Sequence, residues 1–178
     1  MPSRGERDTI PDVKPAHKLS GRILLLIGSI GPLGHLPASG TVTVAVIGIP
    51  LFFLKDRWAV SAPVYVVVSL VFIGLSIWIH HLGDALLGEK DSRKLVWDEL
   101  AGFLVAVAFM PFTWQLALLA FLLERAIDIV KVPPANWIEK HWPGGWGVVG
   151  DDHVAGLYTL IILHAAIHFF PGFVGVAT

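Results

Sequence analysis

The run from Trp58 to Ile79 constrains this chain most. It holds roughly 20 residues without a charge and has aromatics near both ends, the length and pattern of a helix crossing a bilayer. In hydrocarbon every backbone N–H and C=O must be paired within the segment, so a helix is the expected form. Further apolar stretches follow the same logic. They are Thr41 to Leu54, closed by Lys55-Asp56-Arg57; the run from Val96-Trp-Asp-Glu to Met110; Trp114 to Leu123; and Val154 to Phe170, stopped by Pro171-Gly172. Composition agrees: 54% of the residues are apolar and 15% charged, against roughly 25% charged in soluble domains. A single domain of 178 residues cannot hide that much apolar surface in its own core, so lipid is the expected solvent for part of it.

The fold class follows: all-α, a polytopic membrane helix bundle with about four membrane-embedded segments plus an interfacial N-terminal helix. Residues 1–18 are hydrophilic and show no apolar h-region, which predicts a flexible cytosolic arm rather than a signal peptide. Residues 19–178 form the membrane domain. Leu19 to Ile30 is too short to span and suits an interfacial or re-entrant helix. The Gly- and Pro-dense stretch from Gly28 to Thr41 predicts irregular backbone, either an anion-binding nest or a plain loop with Ser39 or Thr41 capping the next helix. Pro111 predicts a helical hairpin that sets Asp98–Glu99 level with Arg125–Asp128. Tracing the crossings places every polar motif on the side that holds the N-terminus. Of the thirteen Lys and Arg only Lys55 and Arg57 fall on the other side, so the positive-inside rule puts the polar side in the cytoplasm.

The polar island from Glu124 to Gly156 carries the chemistry. Arg125, Asp128 and Lys131 recur at three-residue intervals and share a face if helical. A Pro133-Pro134 break, a Gly/Trp-rich loop and the pair Asp151–Asp152 follow. A charge at the bilayer centre costs roughly 2.5–3.5 kcal/mol, so these groups and Asp98–Glu99 belong at the interface, facing inward. Gathered carboxylates repel one another, and a hard divalent cation is their natural complement, Mg²⁺ being the usual one beside phosphate. Metal-assisted phosphoryl transfer on a phospholipid is the leading reading, with an Asp as general base or as nucleophile. Plainer roles compete: Asp98 and Asp151–Asp152 as helix N-caps worth about 1 kcal/mol, Arg125–Asp128 as an exposed ion pair, and His80–His81 as interfacial polar residues. A small ion- or proton-coupled transporter and a non-catalytic membrane subunit are the rival functions. With no cysteine and a net charge of −1, disulfides, thiolate metal sites and a nucleic-acid partner are not expected.

Three motifs carry a family resemblance. Val96-Trp-Asp-Glu, Arg125-Ala-Ile-Asp-Ile-Val-Lys131 and Gly144-Gly-Trp-Gly-Val-Val-Gly-Asp-Asp-His-Val-Ala-Gly156 resemble the phosphatidylglycerophosphatase A family, with Ser39-Gly-Thr41 similar to its Pro-Gly-Thr segment. The likeness covers roughly residues 20 to 170 in motif order. It implies a Mg²⁺-dependent phosphatase of the bacterial cytoplasmic (inner) membrane that converts phosphatidylglycerophosphate to phosphatidylglycerol at a cytoplasmic-facing site. It implies that Asp98, Glu99, Asp128, Asp151 and Asp152 are catalytic, with Asp98, Glu99, Asp151 and Asp152 on the metal and Asp91 as a further ligand. Arg125, Lys131 and Thr41 would bind the substrate phosphate. Three positions depart from the pattern: Ser39 stands for Pro, Val132 for Pro, and His153 for an apolar residue. None removes a charged position.

Overall fold

A computed structural model of the chain describes residues 17–176, with side chains from residue 20. The predicted arm at residues 1–18 lies almost wholly outside them. Every regular element among the described residues is helical. The first, α1 (His17–Gly28), is the expected short helix. It presents Ile23, Leu26 and Ile27 outward, as an interfacial helix would. Its C-terminal carbonyls find partners outside the helix. The Val96 N–H donates to Gly28 O at 3.1 Å, and the Trp97 indole donates to Ile27 O at 2.9 Å.

Irregular backbone then runs to Ala38, as the Gly/Pro content predicted, with one 3₁₀ turn at Leu33–His35. A rod follows over Ser39–Arg57, built from α2 (Ser39–Thr43), a π-helical turn at Val44–Gly48 and α3 (Ile49–Arg57). Pro50 explains the wide turn: its ring would clash with the carbonyl four residues back, and the extra residue per turn relieves that contact. The next helix, α4 (Ala62–Leu87), starts with Pro63 in its first turn, where the missing N–H costs nothing. It runs past Ile79, the predicted end of this span, and takes His80, His81 and Asp84 into the helix. Gly88, in the left-handed conformation, ends it.

The predicted hairpin is present as α5 (Trp97–Ala106) and α6 (Trp114–Val130), joined around Pro111. Thr113 caps α6, its hydroxyl accepting from the Leu116 N–H at 3.0 Å. The last two helices are α7 (Ala135–His141) and α8 (Gly145–Phe169). Two expectations are corrected here. The Gly/Trp-rich stretch is not a loop: it contributes α7 and the first turns of α8. The pair Asp151–Asp152 therefore sits inside α8, about 9 Å beyond its start at 1.5 Å per residue, and caps nothing.

Among the described residues three rods are long and apolar enough to cross a membrane: Ser39–Arg57, Ala62–Leu87 and Gly145–Phe169. Helices α5 and α6 have 10 and 17 residues, shorter than the roughly 20 a full span needs. The layout is thus three candidate crossings and a shorter hairpin.

The bundle has two chemically distinct ends. At one, Phe52, Phe103, Met110, Leu116 and Val174 form the packed core. The Tyr65 hydroxyl donates to Leu104 O at 2.5 Å, and the Lys55 ammonium donates to Met110 O. The other end gathers the start of α2, the end of α4, the start of α5, the end of α6 and the early turns of α8. Between them α5 and α8 cross almost backbone to backbone. A Cβ added at Gly156 would lie 2.4 Å from Gly102 O, and one at Gly102 only 2.9 Å from Asp152 O. Helices in lipid gain little from burying apolar surface against each other, so such close approach through small residues is what holds them. Gly156→Ala should therefore lower stability by about 1–3 kcal/mol. Gly74→Ala, where nothing lies within 4 Å, should be neutral or slightly stabilising. Thermal unfolding of both variants in detergent makes the comparison, and equal midpoints would refute the tight crossing.

Candidate active site

Register across the α5–α8 crossing builds the centre. Asp98 lies four residues before Gly102 and Asp152 four before Gly156, so each carboxylate stands one turn above the glycine on the same face. Both are 4% exposed, too buried for either to be a solvated surface charge. Glu99, the next residue on α5, turns toward α2, where Gly40 makes room for it. A Cβ at position 40 would sit 1.9 Å from Glu99 Oε1.

Arg125 is the hub on α6. Its Nε and Nη2 donate to the Glu124 carboxylate at 2.7 and 2.6 Å. Its Nη1 lies 3.4 Å from Asp128 Oδ2 and its Nη2 3.5 Å from Asp152 Oδ1. The expected pairing of Arg125 with Asp128 is present, but within a buried network rather than on an exposed face. Lys131 does not continue that face. It follows the last residue of α6 in the left-handed conformation, φ 52° and ψ 61°, a backbone state that costs a non-glycine residue roughly 1–3 kcal/mol. The turn aims its ammonium at α7 and α8, where it contacts Asp151 Oδ2 and sits 2.9 Å from Glu139 Oε2. Partial burial disfavours this ammonium, but the two carboxylates outweigh it and hold the Lys131 pKa above its ordinary value.

The site therefore has two poles. Asp98, Glu99, Asp128, Asp152 and Arg125 gather at one, and Asp151 and Lys131 at the other. Asp91 lies on the loop before α5, at the rim between them. Its N–H and that of Ser92 each donate to the Asp84 carboxylate at 3.1 Å. A cavity of about 370 Å³ opens beside the first pole, lined by Thr41, Arg93, Glu99, Arg125 and the backbone around Ala38 to Gly40. Thr41 thus reaches the site as expected.

Among the described residues no three His, Asp or Glu side chains are already arranged to hold a metal ion. Their donor chemistry nonetheless fits a hard divalent cation. Glu99 Oε2 is a buried oxygen without a hydrogen-bond partner, while Asp98 Oδ1 has His80 Nε2 at 3.1 Å and Asp152 Oδ1 has Arg125 Nη2 at 3.5 Å, neither a well-formed hydrogen bond. Buried carboxylates so thinly satisfied suit a hard cation.

The chain as a whole has relatives among known proteins. Residues 26–167 match the family profile described as Phosphatidylglycerophosphatase A. The chain belongs to the phosphatidylglycerophosphatase A family. It is 29% identical over 146 residues to a Haemophilus influenzae protein of that name, covering 80% of this chain and 86% of that one. An Escherichia coli protein of the same name is 30% identical over 108 residues, 60% of this chain and 63% of its own length. A Bacteroides thetaiotaomicron protein, provisionally named a phosphatidylinositol-3-phosphatase, is 32% identical over 154 residues, 80% of this chain and 92% of that one. No solved structure matches.

Within this phosphatidylglycerophosphatase A bundle, several site residues escaped the sequence reading. His80 is fully buried, not an interfacial residue. Its Nε2 lies 3.1 Å from Asp98 Oδ1 and its Nδ1 3.8 Å from Asp84 Oδ2, so it bridges the loop-holding carboxylate to the site carboxylate. The signal was the i,i+4 spacing of His80 and Asp84 at the end of an uncharged run. Glu124, fully buried beside Arg125, was signalled by a carboxylate at the close of an apolar helix. Arg93 and Glu139 gave no signal, because only the fold brings their loop and short helix to the site. Of the three departures from the family pattern, Ser39 anchors the loop before α5 by donating to Arg93 O. His153 Nδ1 contacts Val149 O at 2.5 Å. Val132 O accepts from the Ala135 N–H at 3.0 Å, a backbone contact that does not depend on the side chain at that position.

Removing one partner from a buried ion network leaves the other charge stranded, typically at 3–5 kcal/mol. Glu124→Ala should cost roughly 3 kcal/mol, since Asp128 and Asp152 still face Arg125, and Glu124→Gln clearly less. Denaturation of both variants in matched micelles checks this, and a neutral Glu124→Ala would show that Arg125 does not depend on that carboxylate.

Proposed function

We propose that this chain hydrolyses the terminal phosphomonoester of phosphatidylglycerophosphate, giving phosphatidylglycerol and inorganic phosphate. In this reading it works in the bacterial cytoplasmic membrane with the acidic end of the bundle facing the cytoplasm, and it uses Mg²⁺. The observation that carries the proposal is the cavity wall, where Thr41, Arg93 and Arg125 stand beside Glu99, with the buried carboxylates of Asp98 and Asp152 on the same pole of the site. A hydroxyl and two guanidinium groups suit phosphoryl oxygens, Arg being able to bind them through two parallel hydrogen bonds.

Asp98, Glu99 and Asp152 would hold Mg²⁺; Asp151, tied to Lys131 at the second pole, and Asp91, on the loop before α5, are the further ligands that the family resemblance implies. Bound there, the ion supplies Lewis-acid stabilisation of phosphoryl charge and a more acidic water. The remaining work belongs to side chains. His80 and Asp84 fix the orientation of Asp98, and Arg125 holds Asp152 and Asp128 in register. In hydrolysis the bond from phosphorus to the headgroup oxygen breaks, that oxygen takes up a proton, and a carboxylate of the cluster accepts a proton from the attacking water. Lys131, tied to Asp151 and Glu139, contributes positive charge at the second pole. The acidic cluster lies at one end of the bundle, with Lys55, Asp56 and Arg57 at the other, rather than along a crossing path, which favours interfacial hydrolysis over the transporter reading.

The relative named for phosphatidylinositol 3-phosphate makes headgroup choice a second question at the same site. Phosphate release is to be measured in detergent micelles from phosphatidylglycerophosphate and from phosphatidylinositol 3-phosphate, with Mg²⁺ and with EDTA. The expected result is Mg²⁺-dependent release, faster from phosphatidylglycerophosphate, and reduced roughly 10²–10³-fold in Asp152→Asn, the scale of losing one electrostatic element of a site. Faster release from the inositol lipid would reassign the substrate. No release from either by folded protein would refute the phosphatase reading.

A further inference from the structure

A second cavity, of about 300 Å³, lies on the outer side of the loop that leads into α5. It is lined by Arg22, Lys94 and His35 together with leucines that include Leu25, Leu26 and Leu87. Among the described residues no carboxylate lines it, whereas Glu99 lines the site cavity. Arg22 and Lys94 have no ion-pair partner among the described residues. We propose that this cavity binds an anionic phospholipid of the surrounding bilayer, distinct from the lipid undergoing hydrolysis.

Three observations meet here. Two permanent cations and an imidazole surround a pocket that holds no counter-ion among the described residues, which favours a phosphate-bearing ligand. The leucines form its apolar floor, with room for a headgroup phosphate and the upper part of one acyl chain. That favours a lipid over free phosphate. The third observation is placement: α1 carries Arg22 on the same side as Leu25, three residues on, with Leu26 exposed at the edge of the pocket and Ile23 and Ile27 exposed beside it. A helix with exposed apolar residues and a basic group of this kind lies in the interfacial plane, where anionic headgroups are concentrated.

The position also links the two cavities. Arg93 lines the site cavity and its neighbour Lys94 lines this one. The segment they share is pinned by the Ser39 hydroxyl on Arg93 O and runs directly into Asp98 and Glu99. A lipid held at Lys94 would steady the loop that presents the site.

The test uses the full chain purified in detergent, with bound lipid counted by native mass spectrometry after adding phosphatidylglycerol or phosphatidylcholine. Wild type should retain one more phosphatidylglycerol than the double variant Arg22→Gln/Lys94→Gln. The affinity lost should be roughly 25-fold, about fivefold per charge. The exchange Arg22→Lys/Lys94→Arg keeps both charges and should retain the lipid. Glycerol phosphate, the headgroup chemistry without chains, should not displace it at equal concentration. Four results would each overturn the proposal: equal retention by the double variant, equal retention of phosphatidylcholine, displacement by glycerol phosphate, or loss in the charge-keeping exchange. None of these readings requires turnover, so failure here is separable from failure of the phosphatase assignment.

Discussion

The contact between Gly102 and Gly156 governs how the rest of this bundle is arranged. Side chains at a helix crossing normally keep the axes 8–10 Å apart, and any Cβ at Gly156 would meet the Gly102 carbonyl at 2.4 Å. Closing that gap lets two carboxylates one turn away face each other across a helix pair. It also creates the central problem of the fold, because Asp98 and Asp152 are then like charges with almost no water between them. The surroundings of the site follow from managing that conflict.

Arg125 and Lys131 manage it in different ways. Arg125 is anchored from its own helix by Glu124 through two short hydrogen bonds, which leaves its remaining edge for Asp128 and Asp152. A planar guanidinium can bridge three carboxylates in this manner, whereas an ammonium on a flexible stem cannot. Lys131 gains its reach from backbone instead, through a left-handed residue at the end of α6 that turns the chain toward α8. The strain of that conformation is sustained by contacts with Asp151 and Glu139. His80 adds a third device, a buried imidazole that ties Asp98 to Asp84 and so to the backbone of the loop carrying Asp91.

Much of this was legible in the chain. The uncharged run after Trp58, the Pro111 hairpin, the interfacial helix ending at Gly28 and the gathering of acids on one side follow from hydropathy and proline chemistry, which are local. The start of α8 was missed because Gly144 to Gly150 has the composition of a loop. Its glycines serve close packing against neighbouring helices, a reason visible only in three dimensions. The end of α4 was missed because charge was taken to mark a helix boundary. His80 and Asp84 instead stay helical, with partners supplied by α5 and by the loop that follows. Motif residues were found where chemistry and spacing coincide, as for Arg125 and Asp128. Residues that act through a distant partner, such as Glu139 on Lys131, carry no local mark.

The division of the molecule into a packed end and an acidic end has a physical cause in the solvent. Where α3, α4 and α5 meet near Phe52 and Phe103, the bundle can be closed by shape alone, and the Lys55 ammonium is absorbed by the Met110 carbonyl and the faces of Phe52 and Tyr65. At the other end the helices emerge toward the interface, where charged groups are less costly and a water-soluble product can leave. A lipid phosphate reaches the protein at that same depth. The site must therefore attract an anion while being built mainly from acids, and Arg93, Arg125 and Thr41 line the cavity on the side away from Asp151. Separating the cationic wall from the carboxylate floor lets the phosphoryl group approach through the first and react over the second.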